Sequence, residues 1–180
     1  TSAIFSPFFN LEVSGTDYYH IDVMDGKFVK NNTEEKMYTF TNEIKQISNI
    51  PLDVHFIVEN IKENIDRYLI FKPHIITFHL KACKDKEEVK KHIKYLQENG
   101  VFVVLNASGA LFNGPHKFTN LLNNFPDLLV FSIDSIVAEK HDANRNFNGL
   151  FDKVVNSIKY IKNMGHYPVA IRTVITKNNY

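Results

Sequence analysis

YHIDVMDGKFVKN, residues 19–31, reads as a β-strand that stops abruptly at Gly26. Side chains alternate along a strand, so residues i and i+2 share a face. His20, Asp22 and Met24 therefore point one way, and Ile21 and Val23 the other. The apolar pair belongs under covering elements. A face carrying an imidazole and a carboxylate needs a different explanation.

The same pattern returns in two further runs. In PLDVHFIV (51–58), Asp53, His55 and Ile57 share a face opposite Val54, Phe56 and Val58. In HIITFHL (74–80), Thr77 and His79 share a face opposite Ile76 and Phe78. Further strand candidates are SAIFSPFF (2–9), VFVVLNA (101–107), DLLVFSI (127–133) and YPVAIRTVI (167–175). Helix-like segments separate most of them. TEEKMYTFTNEIKQISN (33–49) opens on Thr33 but has Lys36 where a capping box wants Glu. KDKEEVKKHIKYLQENG (84–100) carries Val89, Ile93 and Leu96 on one stripe and ends on Gly100. NGLFDKVVNSIKYIKNMG (148–165) repeats the plan with Leu150, Val154, Ile158 and Ile161, ending on Gly165.

Strand–helix alternation of this kind implies parallel strands joined by crossover helices. Seven strand candidates point to an α/β fold, a TIM-type (β/α) barrel, with residues 1–180 as a single domain. Two units depart from the ideal. The first crossover is shortened: NLEVSGTD offers about eight residues where a helical crossover needs at least about ten to twelve. The first unit is therefore degenerate, or residues are missing near Leu11–Gly15. The eighth strand is not evident before Tyr180.

Composition excludes other classes. The 180 residues are 44% hydrophobic and 23% charged, which suits a globular chain with a sizeable core. Lys+Arg total 21 against 20 Asp+Glu, so no charge excess asks for nucleic acid or an anionic membrane. No apolar run reaches the length of a membrane span. One cysteine, Cys83, rules out an intrachain disulfide framework and suits a reducing, cytoplasmic setting. A homo-oligomer is the expected assembly.

In a barrel the outer face lies under helices, so the polar set faces the interior. Active sites of this architecture sit at the C-terminal strand ends, and Gly26 marks such an end. One inward histidine alone is ordinarily a hydrogen-bonded core residue. The same pattern on three strands points elsewhere. Imidazole and carboxylate suit a borderline divalent cation, Zn²⁺, Fe²⁺ or Mn²⁺. His20, Asp22 and His55 would supply three ligands and leave a position open for substrate.

HIDVMDGKFVKNNT closely resembles the signature of the ribulose-phosphate 3-epimerase family. PLDVHFIVENIKENIDRYLIFKPHIITFHL is similar to that family's next two strands and the helix between them, and SPFF looks like its first strand. The segments VFVVLNA, DLLVFSID and FDKVVNSIKYIKN follow its order less closely. The resemblance implies a TIM barrel that inverts C3 of a phosphorylated ketose, interconverting ribulose and xylulose 5-phosphates. It implies His20, Asp22 and His55 as metal ligands, His55 also lying at the substrate, and Asp22 as an acid/base. Met24 would pack under the substrate, with Ser6 and His79 beside it or just behind. The chemistry fits these residue types. The C3 proton is α to the C2 ketone, and its removal gives an enediolate whose charge a divalent cation stabilises. Inversion needs proton delivery to the opposite face, which a second carboxylate would provide.

The second half departs from the family pattern. That second carboxylate belongs in an Asp-Gly-Gly-like turn on the seventh strand. Matching VAIRTVITKNNY to this strand puts Arg172 at the aspartate position, with Thr173 and Val174 over the glycines. Arg172 is then a candidate phosphate contact, or a partner for Asp134. The Gly-rich loop expected after the sixth strand is replaced by Ser135–Lys140, and the fifth strand ends in Asn106-Ala107-Ser108-Gly109. Phe131 and Ile57 stand where the family has methionines. Residues are a candidate omission after Asp134 and beyond Tyr180. Two readings follow: an epimerase, for ribulose 5-phosphate or a hexulose 6-phosphate, or a catalytically silent paralogue that binds a ligand or partner.

Overall fold

Alternation in the sequence becomes alternation in burial. The structure is a computed structural model that describes residues 10–107, 124–165 and 167–177. Strand β1, Tyr19–Met24, buries Tyr19, Ile21 and Val23, leaves His20 exposed and holds Asp22 and Met24 half-buried. Strand β2, Leu52–Ile57, buries Val54 and Phe56 completely, and His55 with them. Strand β3, Ile75–His79, buries Ile76, Thr77 and Phe78. The candidate strand SAIFSPFF lies outside the described residues. Residues 10–13 are helical, and Gly15 follows at φ 77°.

The chain divides into two compact units: one runs to Phe78 and takes in Leu96–Phe102, the other holds His79–Tyr95 and Val103 onward. In the first, β1 pairs parallel with β2, setting His20 opposite Asp53 and Asp22 opposite His55. β2 pairs parallel with β3, setting Val54 opposite Ile76 and His55 opposite Thr77. Helices α1 (Glu34–Ile47) and α2 (Ile61–Leu69) make the connections. Glu34 and Glu35 in the first turn of α1 and Lys45 in its last suit the helix dipole. Asn60 caps α2, its side chain accepting from the Glu63 N–H. Ile61, Ile65 and Tyr68 then fall on one buried stripe. The Tyr68 ring meets Phe56 edge-on at 5.4 Å and Phe71 at 5.7 Å. Arg67 grips Glu35 through its two terminal nitrogens, Nη1 and Nη2, at 2.6 and 2.7 Å, and lies over the Tyr38 ring. Glu35 is largely exposed, so this pair orients the helices more than it stabilises them.

Helix α3, Lys86–Glu98, buries Val89, Ile93 and Leu96, the stripe expected from the sequence. β4 (Phe102–Ala107), which belongs to the second unit from Val103 onward, β5 (Leu128–Ser132) and β6 (Val169–Arg172) pair parallel, with Leu105 opposite Leu129 and Ser132 opposite Arg172. Helix α5, Leu150–Met164, buries Leu150, Val154 and Ile161, but its fourth buried residue is Ser157 rather than Ile158. Two successive steps of four outrun a 3.6-residue turn, and Ile158 rotates to a half-buried position. Ser157 satisfies its hydroxyl by donating to the Lys153 carbonyl at 2.6 Å.

The segment after β5 holds a helix that no sequence signal announced, α4, Ala138–Arg145. It corrects the expected pairing of Asp134. The cation is Arg145, whose Nε and Nη2 donate to Asp134 at 2.6 and 2.8 Å. Arg172 is exposed at the end of β6. Eight helical residues suffice to bring Arg145 back over the strand end. The guanidinium holds the Asp134 carboxyl below its ordinary value against the opposing effect of burial. The Asp134 N–H donates to Nδ1 of His141, which is fully buried.

Burial pushes the His141 imidazole below its usual 6.5, with Arg145 adding to the effect and Asp134 and Asp142 opposing it. A histidine buried neutral stabilises the fold fully above 6.5, and that contribution is lost as pH falls through the folded value. Urea unfolding should therefore show the wild type losing stability on the acid side of 6.5. His141→Gln, whose amide oxygen can accept the Asp134 N–H without titrating, should lose less over the same window. Equal slopes for the two proteins would refute this assignment.

Candidate active site

The β1–β2 register brings three metal-type donors together. One ligand atom each from His20, Asp22 and His55 lies within 4.8 Å of the others. Asp22 Oδ1 sits between the two rings, 3.2 Å from His20 Nε2 and 2.9 Å from His55 Nδ1. The ring centroids are 5.9 Å apart. The side chains of His20 and Asp22 are each 44% exposed, while that of His55 is 7% exposed. The cluster thus has a buried floor and a face open to a ligand.

Asp53 completes it. This residue shares a strand face with His55, a signal present in the sequence, yet no role followed from that alone. Its Oδ2 lies 2.6 Å from His20 Nδ1. A carboxylate on one ring nitrogen fixes the orientation of the imidazole and turns the other nitrogen toward the ligand side. That hydrogen bond is also the largest cause of a raised His20 pKa, against burial, with Asp22 contributing further. The donor set fits a divalent cation: two imidazoles, one carboxylate and a second carboxylate behind one ring.

The strand end is held by its loop. Asp25 Oδ1 accepts the N–H groups of Lys27 and Phe28 at 2.8 and 2.9 Å, and its Oδ2 accepts that of Glu59 at 2.7 Å. One carboxylate therefore ties the turn after β1 to the segment after β2. Burial would raise its pKa, but the backbone donors outweigh this and hold it below the ordinary value. Gly26 adopts φ 77°, and a Cβ there would meet Asn32 Cβ at 3.2 Å. The turn thus requires glycine for both conformation and room. Thr33 stands at the N-cap of α1 but makes no capping bond from its side chain. Its hydroxyl donates to the Asp22 carbonyl at 2.8 Å and accepts the Met24 N–H at 3.0 Å.

The remaining expected site residues are distributed as follows. Met24 ends β1, half-buried. His79 ends β3, also half-buried, and belongs to the second unit. Ser6 lies outside the described residues. Arg172 ends β6.

The model of the ribulose-phosphate 3-epimerase family matches residues 8–135. The chain belongs to this family. Its fold class is accordingly that of the TIM-type (β/α) barrel. A ribulose-phosphate 3-epimerase of Helicobacter pylori strain J99 is 37% identical over 130 residues, covering 61% of this chain and 58% of the relative. One from Bacillus subtilis strain 168 is 28% identical over 158 residues, covering 86% of this chain and 64% of the relative. The chain thus spans less than two thirds of the length of these curated relatives. Among solved structures, the YdjI aldolase of Escherichia coli K12 superposes with a TM-score of 0.53 at 14% identity, covering 90% of this chain and 59% of that one, a likeness of fold alone. No helix among the described residues is long and apolar enough to cross a membrane.

Asp25→Ala leaves three backbone donors without their acceptor. The expected loss is about 1–3 kcal/mol of unfolding free energy. Faster hydrogen exchange should be confined to the amides of Lys27, Phe28 and Glu59 and their neighbours. Unchanged protection at Glu59 would refute the tie between the two loops.

Proposed function

We propose that this chain acts as one barrel domain that epimerises a ketose phosphate at C3, converting D-ribulose 5-phosphate to D-xylulose 5-phosphate. The observation that carries the reading is the His20–Asp22–His55 cluster, backed by Asp53 and open on one face, in a member of the epimerase family. We assign Asp22 as the acid/base. His20, Asp22 and His55 hold a divalent cation, Zn²⁺, Fe²⁺ or Mn²⁺. Ser6, Met24, His55 and His79 are assigned to the substrate. The single cysteine favours a cytoplasmic setting, and a homo-oligomer is the assembly we propose.

The cation, when bound, supplies Lewis-acid stabilisation of the charge that develops on the substrate oxygens. The chain's own residues do the rest. Asp22 is exposed enough for substrate to reach its carboxylate, which takes the C3 proton as general base. Asp53 holds the His20 ring, so His20 Nε2 keeps its place beside Asp22. His55 presents its ring from a buried position, which limits its freedom to turn. Met24, on the same face of β1 as His20 and Asp22, offers a polarizable apolar surface at the strand's end.

A second reading rests on matching VAIRTVITKNNY to the family's seventh strand, which puts Arg172 at the position of the opposite-face acid/base. In that reading the protein binds a phosphorylated ligand or a partner without inverting C3. An epimerase for a hexulose 6-phosphate is a variant of the first reading.

Solvent-deuterium incorporation at C3 of ribulose 5-phosphate separates these cases. The epimerase reading expects exchange coupled to xylulose 5-phosphate formation. Exchange without inversion would mean one working base, and no exchange would leave the silent paralogue. Asp22→Asn should lower exchange about 10²–10⁴-fold, the usual contribution of a general base. Undiminished exchange in that variant would remove Asp22 from the role. Asp53→Asn should weaken Zn²⁺ binding about 10–100-fold in a competition titration, as expected for a carboxylate behind a ligating histidine. Wild-type affinity in Asp53→Asn would count against the cation site.

A further inference from the structure

Thr33 is in an unusual position for a helix-capping threonine. It precedes α1 with φ −123° and ψ 0°, and its side chain gives the helix nothing. Asn32 Oδ1 accepts the Glu34 N–H instead, at 3.2 Å. The Thr33 hydroxyl bridges two backbone groups of β1, donating to Asp22 O at 2.8 Å and accepting from Met24 N at 3.0 Å. The Thr33 N–H adds a third bond, to Met24 O at 2.8 Å. A hydroxyl used as donor and acceptor at once has its proton direction fixed, so the strand is gripped at two successive points along one edge.

We propose that Thr33 is a positioning residue for Asp22: its hydroxyl fixes the β1 backbone at Asp22 and Met24 and thereby aims the Asp22 carboxylate between His20 and His55. The inference rests on reading His20, Asp22 and His55 as a working cluster. A short side chain has only two torsions, so its carboxylate direction follows the peptide planes on either side. One of those planes carries the carbonyl that Thr33 holds. The aim matters because Oδ1 must serve two rings at once, at 3.2 and 2.9 Å, and hydrogen bonds weaken steeply outside a narrow range of distance and angle. On its other edge β1 is fixed by β2, beginning with the Tyr19 N–H bonded to Pro51 O at 3.0 Å. Thr33 thus adds, from a loop, a restraint on the edge of β1 opposite β2. A mere loop anchor would stabilise the fold without setting the geometry of the rings.

The test compares Thr33→Val, which keeps the shape and removes both hydroxyl bonds, with Thr33→Ser, which keeps the hydroxyl. Nitrogen-15 resonances of the His20 and His55 rings, recorded in metal-free protein, report the carboxylate between them. Thr33→Val should displace both rings' resonances, and Thr33→Ser should return them to wild-type positions. Co²⁺ affinity should fall at least about tenfold in Thr33→Val and recover in Thr33→Ser. Wild-type ring resonances in Thr33→Val would overturn the proposal whatever happens to the thermal midpoint, since that result describes a structural anchor only. Equal displacement in Thr33→Ser and Thr33→Val would overturn it too. Should Thr33→Val not fold, Thr33→Ala is judged by the same ring resonances. If the wild type takes up no Co²⁺, the proposed function fails, while the ring comparison still decides the role of Thr33.

Discussion

The parallel register that sets His20 opposite Asp53 and Asp22 opposite His55 is the constraint on which the candidate site depends. It is enforced from the apolar side. Ile21, Val23, Val54 and Phe56 are almost wholly excluded from solvent. Each such side chain contributes about 1.5–3 kcal/mol by burial. The hydrogen bonds of the polar face, two of whose members are nearly half exposed, contribute about 1 kcal/mol each. A one-residue slip would expose the apolar set and bury the polar one. The core therefore places the site, and the site's own bonds only refine it.

Refinement takes place at the level of the backbone. The hydroxyl of Thr33 has two possible employers, the first turn of α1 and the edge of β1, and it serves the strand. The helix forgoes about 1 kcal/mol of capping by this choice. Glu34 and Glu35 at its N-terminus recover part of that through the helix dipole, and Asn32 accepts one of the orphaned N–H groups. Asp25 acts on the next level out, joining the turns after β1 and β2 through three charge-assisted bonds. Asp53 acts on one ring. Strand, turn and imidazole are each held by a different polar side chain, none of which belongs to the donor set.

What was legible in the sequence follows from which interactions have a period. Two-residue alternation in YHIDVM and LDVHFI marked off the polar face from the apolar one, and the spacing of Val89, Ile93 and Leu96 exposed a helix face, because burial repeats with the geometry of the element. Ile158 shows the limit: four-residue steps look periodic on paper and drift off the buried face of a real helix. Bonds from a side chain to a distant backbone have no period at all. The Thr33–Asp22 bond spans eleven residues and the Asp25–Glu59 bond thirty-four, so nothing in the local sequence announces either. Asp53 lies between these extremes. Its face was readable, but its role required knowing that β1 pairs with β2 in a register placing it across from His20. Helix α4 escaped notice because its sequence lacks an apolar stripe; among its residues only His141 is buried.

The segment after β5 is built on a different principle from the Gly-rich loop that the family pattern would put there. Glycines let a backbone approach a ligand closely and bend to it. Here the buried Asp134 and His141 and the half-buried Arg145 form a polar anchor, with the Val174 N–H reaching the same carboxylate at 3.4 Å. Removing a carboxylate from water is favourable only when its bonds are well satisfied. Such an anchor therefore favours one conformation over adaptability. The beginning of the chain and its later part thus differ in kind. Residues 19–59 assemble metal-type donors and the polar side chains that hold them in place. Residues 128–174 offer a polar anchor and, at the end of β6, the exposed Arg172. Abstraction of a proton needs one aimed base. Inversion needs a second proton donor on the other face. On the proposed reading, Asp22 would meet the first requirement, and the second would draw on a group other than Arg172.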